Sequence, residues 1–363
     1  MARVFLLAGE SSGDRLGAVL AQELISRGHE VHGWGGSQMH EQGVELHQDI
    51  RELNVMGFSD VLMRAPQLIR LLTKCKNDIE DNQPDILILI DFGTFNLRVA
   101  KWAKGKIEKV VYYSPPKLWA SRPGRIKNLK KFSDQIIVLF PFEQAYYQQE
   151  KLEVQYFGHP LFEAATSKQI DQEIRMNFQL DSRPILSILP GSRVQEVKRL
   201  LPIYLESVQD LGNYNICVSA TPLTSQIIHK MIPNGKGVTI IEGFLHELLS
   251  QSRSAIVTSG TATLEAALFE VPQVVCYKTS WLNYWIAKAM IRVPYISLIN
   301  LISGEKIVEE LIQDDCTPEN IRSNILRLEE DNVKSNIASY YQDIVNQLSL
   351  PDITKRTVAA IIG

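Results

Sequence analysis

The chain has only four cysteines in 363 residues, and Cys75, Cys217, Cys276 and Cys316 stand far apart with no Cys-x-x-Cys spacing. A disulfide framework or a zinc site is therefore not expected, and a reducing cytoplasm is the simplest setting. No apolar run is long enough to span a bilayer. Strand-like sequence begins at Arg3, which leaves no room for the charged head, apolar stretch and cleavage site of a secretion signal. Charge of one sign is not in excess either: the formal net charge is −3, which gives no global attraction to nucleic acid. There is no low-complexity tract, and no Asp-x-Asp pair to hold a metal-bound nucleotide. What is present is ordinary for a globular enzyme, with 45% hydrophobic and 22% charged residues. The length exceeds the size at which one core usually keeps growing, so two domains are expected.

Short apolar runs alternate with helix-length segments, the pattern of parallel sheets covered by helices on both faces. In the first half, strands are predicted near Val4 to Leu7, Glu30 to Trp34, Ile86 to Ile90, Lys109 to Tyr113, Gln135 to Leu139 and Val154 to Phe157. In the second half they fall near Ile185 to Leu189, Tyr214 to Val218, Val238 to Ile241, Ala255 to Thr258 and Gln273 to Tyr277. The proline-punctuated, polar stretch from Gly158 to Arg183 marks a boundary, giving domains of residues 1–165 and 166–363. The tail from Pro318 reads as helices that have the option of packing back on the first domain. The fold class is thus α/β, two Rossmann-like domains whose parallel sheets face a central cleft at the carboxyl ends of their strands.

Chemistry is expected where strands hand over to helices. Leu189-Pro-Gly-Ser-Arg-Val-Gln-Glu196 breaks a strand with Pro190 and Gly191 and then offers the Ser192 hydroxyl and the forked cation of Arg193, either as a diphosphate seat or as a tight turn with a solvated arginine. A second small-residue turn, Thr258 to Glu265, supplies Ser259, Gly260, Thr261 and Thr263 as a cradle, with Glu265 about one turn inside the helix, either as a ribose ligand or as an ordinary first-turn acid. The first strand ends in Ala8-Gly-Glu-Ser-Ser-Gly-Asp14, which is neither the G-x-G-x-x-G fingerprint nor a P-loop; it holds an anion, or Ser12 or Asp14 caps the helix. Asp91 closes the third strand, as a general base or as a cap for a helix beginning at Thr94. Tyr113 to Arg125 is rigid and aromatic and feeds a basic helix with Lys127, Lys130 and Lys131, suited to an anionic ligand or simply solvated.

Two stretches are apolar with basic neighbours. Val55, Met56, Phe58, Val61, Leu62, Met63, Leu68, Ile69, Leu71 and Leu72 run beside Arg64, Arg70 and Lys74, and Trp281, Leu282, Tyr284, Trp285, Ile286 and Met290 beside Lys288 and Arg292. Such segments, near 55–74 and 281–301, either lie on a membrane surface or pack in the core.

In content and order, Ala8 to Asp14, Val55-Met56-Gly57, Ile90-Asp91 with Phe95-Asn96, Tyr113 to Arg125, Leu139 to Glu143, Gly158-His159, Leu189 to Glu196, Ser259 to Glu265 and Asn300-Leu301 resemble the lipid-A-disaccharide synthases, glycosyltransferases of GT-B type. The resemblance implies a cytoplasmic enzyme peripherally associated with the inner membrane. It would transfer 2,3-diacylglucosamine from its UDP derivative to 2,3-diacylglucosamine 1-phosphate (lipid X), with inversion to a β-1,6 link, release of UDP, and no cofactor or metal. It makes Asp91 the base for the acceptor hydroxyl, Arg193 the diphosphate contact and Glu265 the ribose ligand. It sets Glu10, Ser12, Asp14, Asn96, Trp119, Arg122 and Arg125 on the acceptor side. The sequence departs from the family pattern at Phe92-Gly93-Thr94, where Ala-Pro-Asp is usual, at Ser121 in place of a tryptophan, and at Ile299 in place of a proline. Alternatives are a UDP-N-acetylglucosamine 2-epimerase-like enzyme and a catalytically silent UDP-sugar-binding paralogue.

Overall fold

The computed structural model describes all residues except 51, 53–64, 119–123, 125, 168–172, 233–236, 282–283, 286–287 and 289–292. The chain divides into two compact units, Met1–Thr166 with Leu348–Gly363, and Ser167–Gln347.

The first unit is built on a seven-stranded sheet in the order β3-β2-β1-β4-β5-β6-β7. Its strands are β1 (Arg3–Ala8), β2 (Glu30–Gly35), β3 (Glu45–Asp49), β4 (Ile86–Ile90), β5 (Lys109–Tyr113), β6 (Gln135–Val138) and β7 (Gln155–Tyr156), and every pairing is parallel. All five residues of Ile86-Leu-Ile-Leu-Ile90 are buried, because a central parallel strand covered by helices has no solvent face. Phe5, Leu7, Trp34, Leu87, Leu89 and Tyr112 form one core with Cys75 and Ile79 of the helix Ala65–Asn82.

The second unit repeats the plan with six strands in the order β10-β9-β8-β11-β12-β13. These are β8 (Ile185–Leu189), β9 (Asn215–Ala220), β10 (Val238–Glu242), β11 (Ser252–Thr258), β12 (Gln273–Tyr277) and β13 (Glu309–Ile312), again all parallel.

Both sheets contain an edge strand that the apolar-run criterion does not pick out. The sequence predicts six strands in the first sheet and five in the second, whereas seven and six are present. The additional strands are β3, Glu45-Leu-His-Gln-Asp49, and β13, Glu309-Glu-Leu-Ile312. An edge strand is only partly covered, so its residues need not be apolar to pair.

In each unit the order reverses beside the first strand, between β1 and β4 and between β8 and β11. At such a switch point the loops leaving the carboxyl ends of adjacent strands diverge and leave a crevice for ligand. The turns after Ala8 and Ile90 flank one crevice, and those after Leu189 and Thr258 flank the other.

The chain's last segment closes the first unit. Leu348, Ile353, Val358 and Ile361 are buried. Lys109 Nζ donates to the carbonyls of Ala360 (3.3 Å) and Ile361 (2.6 Å), and Gln135 Nε2 to that of Ala360 (3.0 Å), so the open C-terminal carbonyls of the helix Ile353–Ile362 are satisfied from β5 and β6. At the other end of this helix, Glu163 Oε2 accepts from the Thr354 main-chain N–H at 2.9 Å and its hydroxyl at 2.5 Å.

Gly158, at φ 108°, is where this docking is tightest: a Cβ there would stand 2.7 Å from Ile353 Cδ1. Ile353→Ala is accordingly expected to cost about 2–5 kcal/mol in urea-induced unfolding. In native-state hydrogen exchange, protection should fall in β1 to β7 and be retained in β8 to β13.

Candidate active site

The first crevice is organised around Asp91. On leaving β4 the chain runs through three residues of positive φ, Asp91 (48°), Phe92 (51°) and Gly93 (30°). Two consecutive non-glycine residues in the left-handed region cost on the order of 1–3 kcal/mol each and persist only where surrounding bonds enforce them. Here the Asp91 N–H is directed at the carbonyls of Tyr113 (3.3 Å) and Ser114 (3.2 Å). The Asp91 carbonyl accepts from Asn96 Nδ2 (2.9 Å) and the Tyr112 hydroxyl (3.4 Å).

Asn96 is fully buried, and its amide also donates to the carbonyls of Leu7 (3.3 Å) and Ile90 (3.2 Å). It thereby ties the ends of β1 and β4 together beneath the turn. Asp91 is not the helix cap: the helix is Gly93–Ala103 and its N-cap residue is Phe92.

The Phe92 ring lies over Gly9, at which a Cβ would fall 2.3 Å from Phe92 Cγ, and packs against Phe95 at a centroid distance of 4.8 Å. Phe92 and Gly93 thus form one local unit, a wedge over Gly9 followed by a glycine that takes positive φ readily.

Ser12 donates to Asp91 Oδ2 across the crevice at 3.4 Å, from the first turn of the helix Ser11–Ser26. Glu10 is the N-cap residue of that helix and makes no side-chain capping bond. Asp14 is buried and caps a different helix, Ser37–Glu41: Oδ1 accepts from the N–H groups of Gly36 (2.7 Å) and Met39 (3.1 Å), and Oδ2 from that of Gln38 (3.2 Å). Burial pushes its pKa above the usual carboxylate value despite those donors. Trp119, Arg122 and Arg125 lie outside the described residues. Of the basic helix Ile126–Phe132, Lys130 Nζ donates to the Lys151 carbonyl at 3.0 Å and Lys131 lies over the Phe132 ring.

In the second unit, Gly191 has φ 104°, and a Cβ there would meet Glu196 Oε2 at 2.5 Å. Glu196 reaches back from the first turn of the helix Val194–Ser207: Oε2 accepts from the Arg193 N–H and Oε1 from Arg193 Nη1, both at 3.3 Å. This carboxylate orients the guanidinium. The pair is open to solvent, so it contributes only about 0–1 kcal/mol and yields readily to a competing anion. Ser192 is exposed beside it.

Across the crevice, two of the hydroxyls expected to face a diphosphate donate to main-chain carbonyls instead. Ser259 Oγ donates to Ile296 (2.9 Å) and Thr263 Oγ1, fully buried, to Gly260 (2.7 Å). Thr261 is the N-cap residue of the helix Ala262–Leu268. Glu265 is buried with Oε1 3.2 Å from His246 Nε2, and the His246 ring packs on Phe269 at 5.3 Å. His246 is not among the residues that sequence reading singles out; its one signal is its place just after the Gly243-Phe244 turn that ends β10.

A family model described as lipid-A-disaccharide synthetase matches residues 4–361. The chain belongs to this family. It is thus a glycosyltransferase of lipid A biosynthesis. Relatives of that name include one from Myxococcus xanthus, 37% identical over 335 residues and covering 90% of this chain and 88% of its own. Another, from Coxiella burnetii, is 37% identical over 351 residues and covers 95% and 92%.

Among solved structures, a putative UDP-N-acetylglucosamine 2-epimerase from Listeria monocytogenes aligns with a TM-score of 0.70 at 13% identity, covering 99% of this chain and 95% of that one. The spinosyn rhamnosyltransferase SpnG aligns with 0.65 at 13%, covering 99% and 100%. At such identities the likeness is one of fold, and it agrees with the two doubly wound sheets of this chain.

The local geometry sets a test of the Asp91 turn. Gly9→Ala must displace the Phe92 ring and is expected to destabilise the protein by about 1–3 kcal/mol, measured by denaturant unfolding. Phe92→Ala, placed in the same background, should recover part of that loss by removing the clash.

Proposed function

We propose that this family member transfers a 2,3-diacylglucosamine unit from its UDP derivative to the 6-hydroxyl of 2,3-diacylglucosamine 1-phosphate. The acceptor belongs to the first unit and the sugar nucleotide to the second. The observation that carries the reading is Asp91, a carboxylate held by an enforced left-handed turn at the carboxyl end of a central strand.

In the reaction, Asp91 accepts the proton of the acceptor hydroxyl as its oxygen bonds to the anomeric carbon, and the bond from that carbon to the diphosphate oxygen breaks on the opposite face. The product is the inverted β-1,6 disaccharide 1-phosphate, with UDP leaving. Arg193, released from Glu196, takes the charge that develops on the diphosphate, together with Ser192 and the main chain at Ser259, Gly260 and Thr261. Glu265, oriented by His246, accepts from ribose hydroxyls. Thr263 and Asp14 act by holding turns in shape, and Asn96 by fixing the main chain of Asp91. Ser12 sits beside the base, and Glu10, Trp119, Arg122 and Arg125 complete the acceptor side, the two arginines suiting its phosphate.

Both lipid substrates point to a membrane surface, at the cytoplasmic face of the inner membrane. Among the described residues no helix is long and apolar enough to cross a membrane. In the first apolar stretch, 53–64 lies outside the described residues; Leu71 is buried in the core and Ile69 is exposed. In the second, Trp281 and Trp285 are 51% and 58% exposed, and Lys288 Nζ lies over the Tyr284 and Trp285 rings at 5.7 and 5.4 Å. Exposed indoles beside a cation suit the headgroup layer.

Asp91→Asn is expected to lower kcat about 10²–10⁴-fold in a coupled UDP-release assay while UDP affinity by calorimetry stays the same. Equal loss of both assigns Asp91 a structural role. Epimer formation from UDP-N-acetylglucosamine, or UDP-sugar binding with no disaccharide formed, overturns the transfer. The double variant Trp281→Ala, Trp285→Ala should sediment less with anionic phospholipid vesicles than the parent, at unchanged thermal stability.

A further inference from the structure

The free edge of the first sheet carries a cluster of donors for which the proposed transfer has no use. His32 stands on β2, Glu45 and His47 on β3, and His32 and Glu45 are register partners, so their side chains share one face. The register shifts between Gly33 and Trp34, which pair with Leu46 and Gln48, leaving His47 as an extra residue in β3. Such a bulge re-aims a side chain.

His47 Nε2 comes to 3.4 Å from His32 Nδ1, and Glu45 Oε2 to 3.5 Å from the same nitrogen. The donor atoms of all three residues lie within 4.8 Å of one another. Around a tetrahedral zinc ion with Zn–N bonds of about 2.0–2.1 Å, donor atoms are about 3.3–3.4 Å apart, so His32 already stands at coordination spacing from both neighbours.

A second observation points the same way. His32 Nε2 lies 2.8 Å from Glu30 Oε1, and the other oxygen of that carboxylate accepts from Arg3 Nε at 3.2 Å. A carboxylate on Nε2 holds the proton there and turns the Nδ1 lone pair into the cluster, the arrangement that orients metal-binding imidazoles. The rings are held as well: the His47 ring stacks with those of Phe5 (6.0 Å) and His32 (5.5 Å). Lys74 Nζ, from the covering helix, is engaged by the His47 carbonyl (2.9 Å) and Asp78 (3.2 Å). Glu45 has a side chain 71% exposed, which gives an ion access from solvent.

We propose that His32, Glu45 and His47 bind a divalent cation of the zinc class, with water completing the coordination, and that the ion clips edge strand β3 to β2. Two imidazoles and one carboxylate suit Zn²⁺ and its neighbours, whereas Mg²⁺ and Ca²⁺ favour all-oxygen sites. The site belongs to the edge of the sheet, while Asp91 follows central β4. Its test therefore stands apart from the transfer.

The untagged full chain, stripped with a chelator, is titrated with Zn²⁺ alone by calorimetry and thermal unfolding. About one equivalent should bind saturably and raise Tm. Co²⁺ in its place should give the intense visible bands of a tetrahedral site. His47→Ala should abolish the Tm shift, Glu45→Gln should weaken binding, and Glu30→Gln should weaken it about 10–100-fold by freeing the His32 tautomer. His229→Ala, which removes the exposed His229–Glu242 pair on the second unit, should leave binding intact. A parent chain that binds no Zn²⁺, equal affinity in the parent and in His47→Ala, or a response lost in His229→Ala overturns the site.

Discussion

The buried amide of Asn96 is the contact on which the first crevice depends. At a topological switch point two central strands end side by side and their loops part, which opens a space above the strand ends. From the first turn of the following helix, the two N–H groups of the Asn96 amide are shared among the carbonyls of Leu7, Ile90 and Asp91. Among the described residues its Oδ1 accepts no hydrogen bond. Turning the amide over would set that oxygen against three carbonyls, so the orientation is dictated by its surroundings. The left-handed course of Asp91 and Phe92 follows, since the amide and the Tyr112 hydroxyl fix the Asp91 carbonyl while the Phe92 ring closes over Gly9.

The second crevice solves the same topological problem by other means. A glutamate one turn into the helix, Glu196, closes the main chain at Arg193 and holds its guanidinium near the surface. Gly191 makes room for that carboxylate, which any Cβ would meet. In the opposite turn, Thr263 uses its hydroxyl on the Gly260 carbonyl within the turn, and Ser259 ties the turn to the Ile296 carbonyl. The turn after β4 in one unit thus carries a carboxylate, and the turn after β8 in the other an exposed arginine held by Glu196.

Central strands were readable because both faces are buried, which demands continuous apolar runs: β4, β5, β8 and β12 fall on the residues predicted for them. Edge strands β3 and β13 escaped because half-exposed pairing leaves polar residues in place. The strand-to-helix turns that hold Asp91 and Arg193, and the one that precedes Glu265, were legible because their residues break the apolar pattern. His246 was not: nothing in its own neighbourhood signals Glu265, nineteen residues away, and only the packing of two short helices brings them to 3.2 Å.

The sequence alone therefore determined the alternating α/β plan, the switch-point turns and the family pattern, because these are written in local periodicity and in residues that must break it. Tertiary structure decided what each polar group does. Asp14 caps a helix elsewhere in the chain, Asn96 anchors two strand ends, and residues Leu348–Gly363 belong to the first unit. A hydrogen bond or a docked helix depends on partners far away along the chain, and only folding brings them within reach.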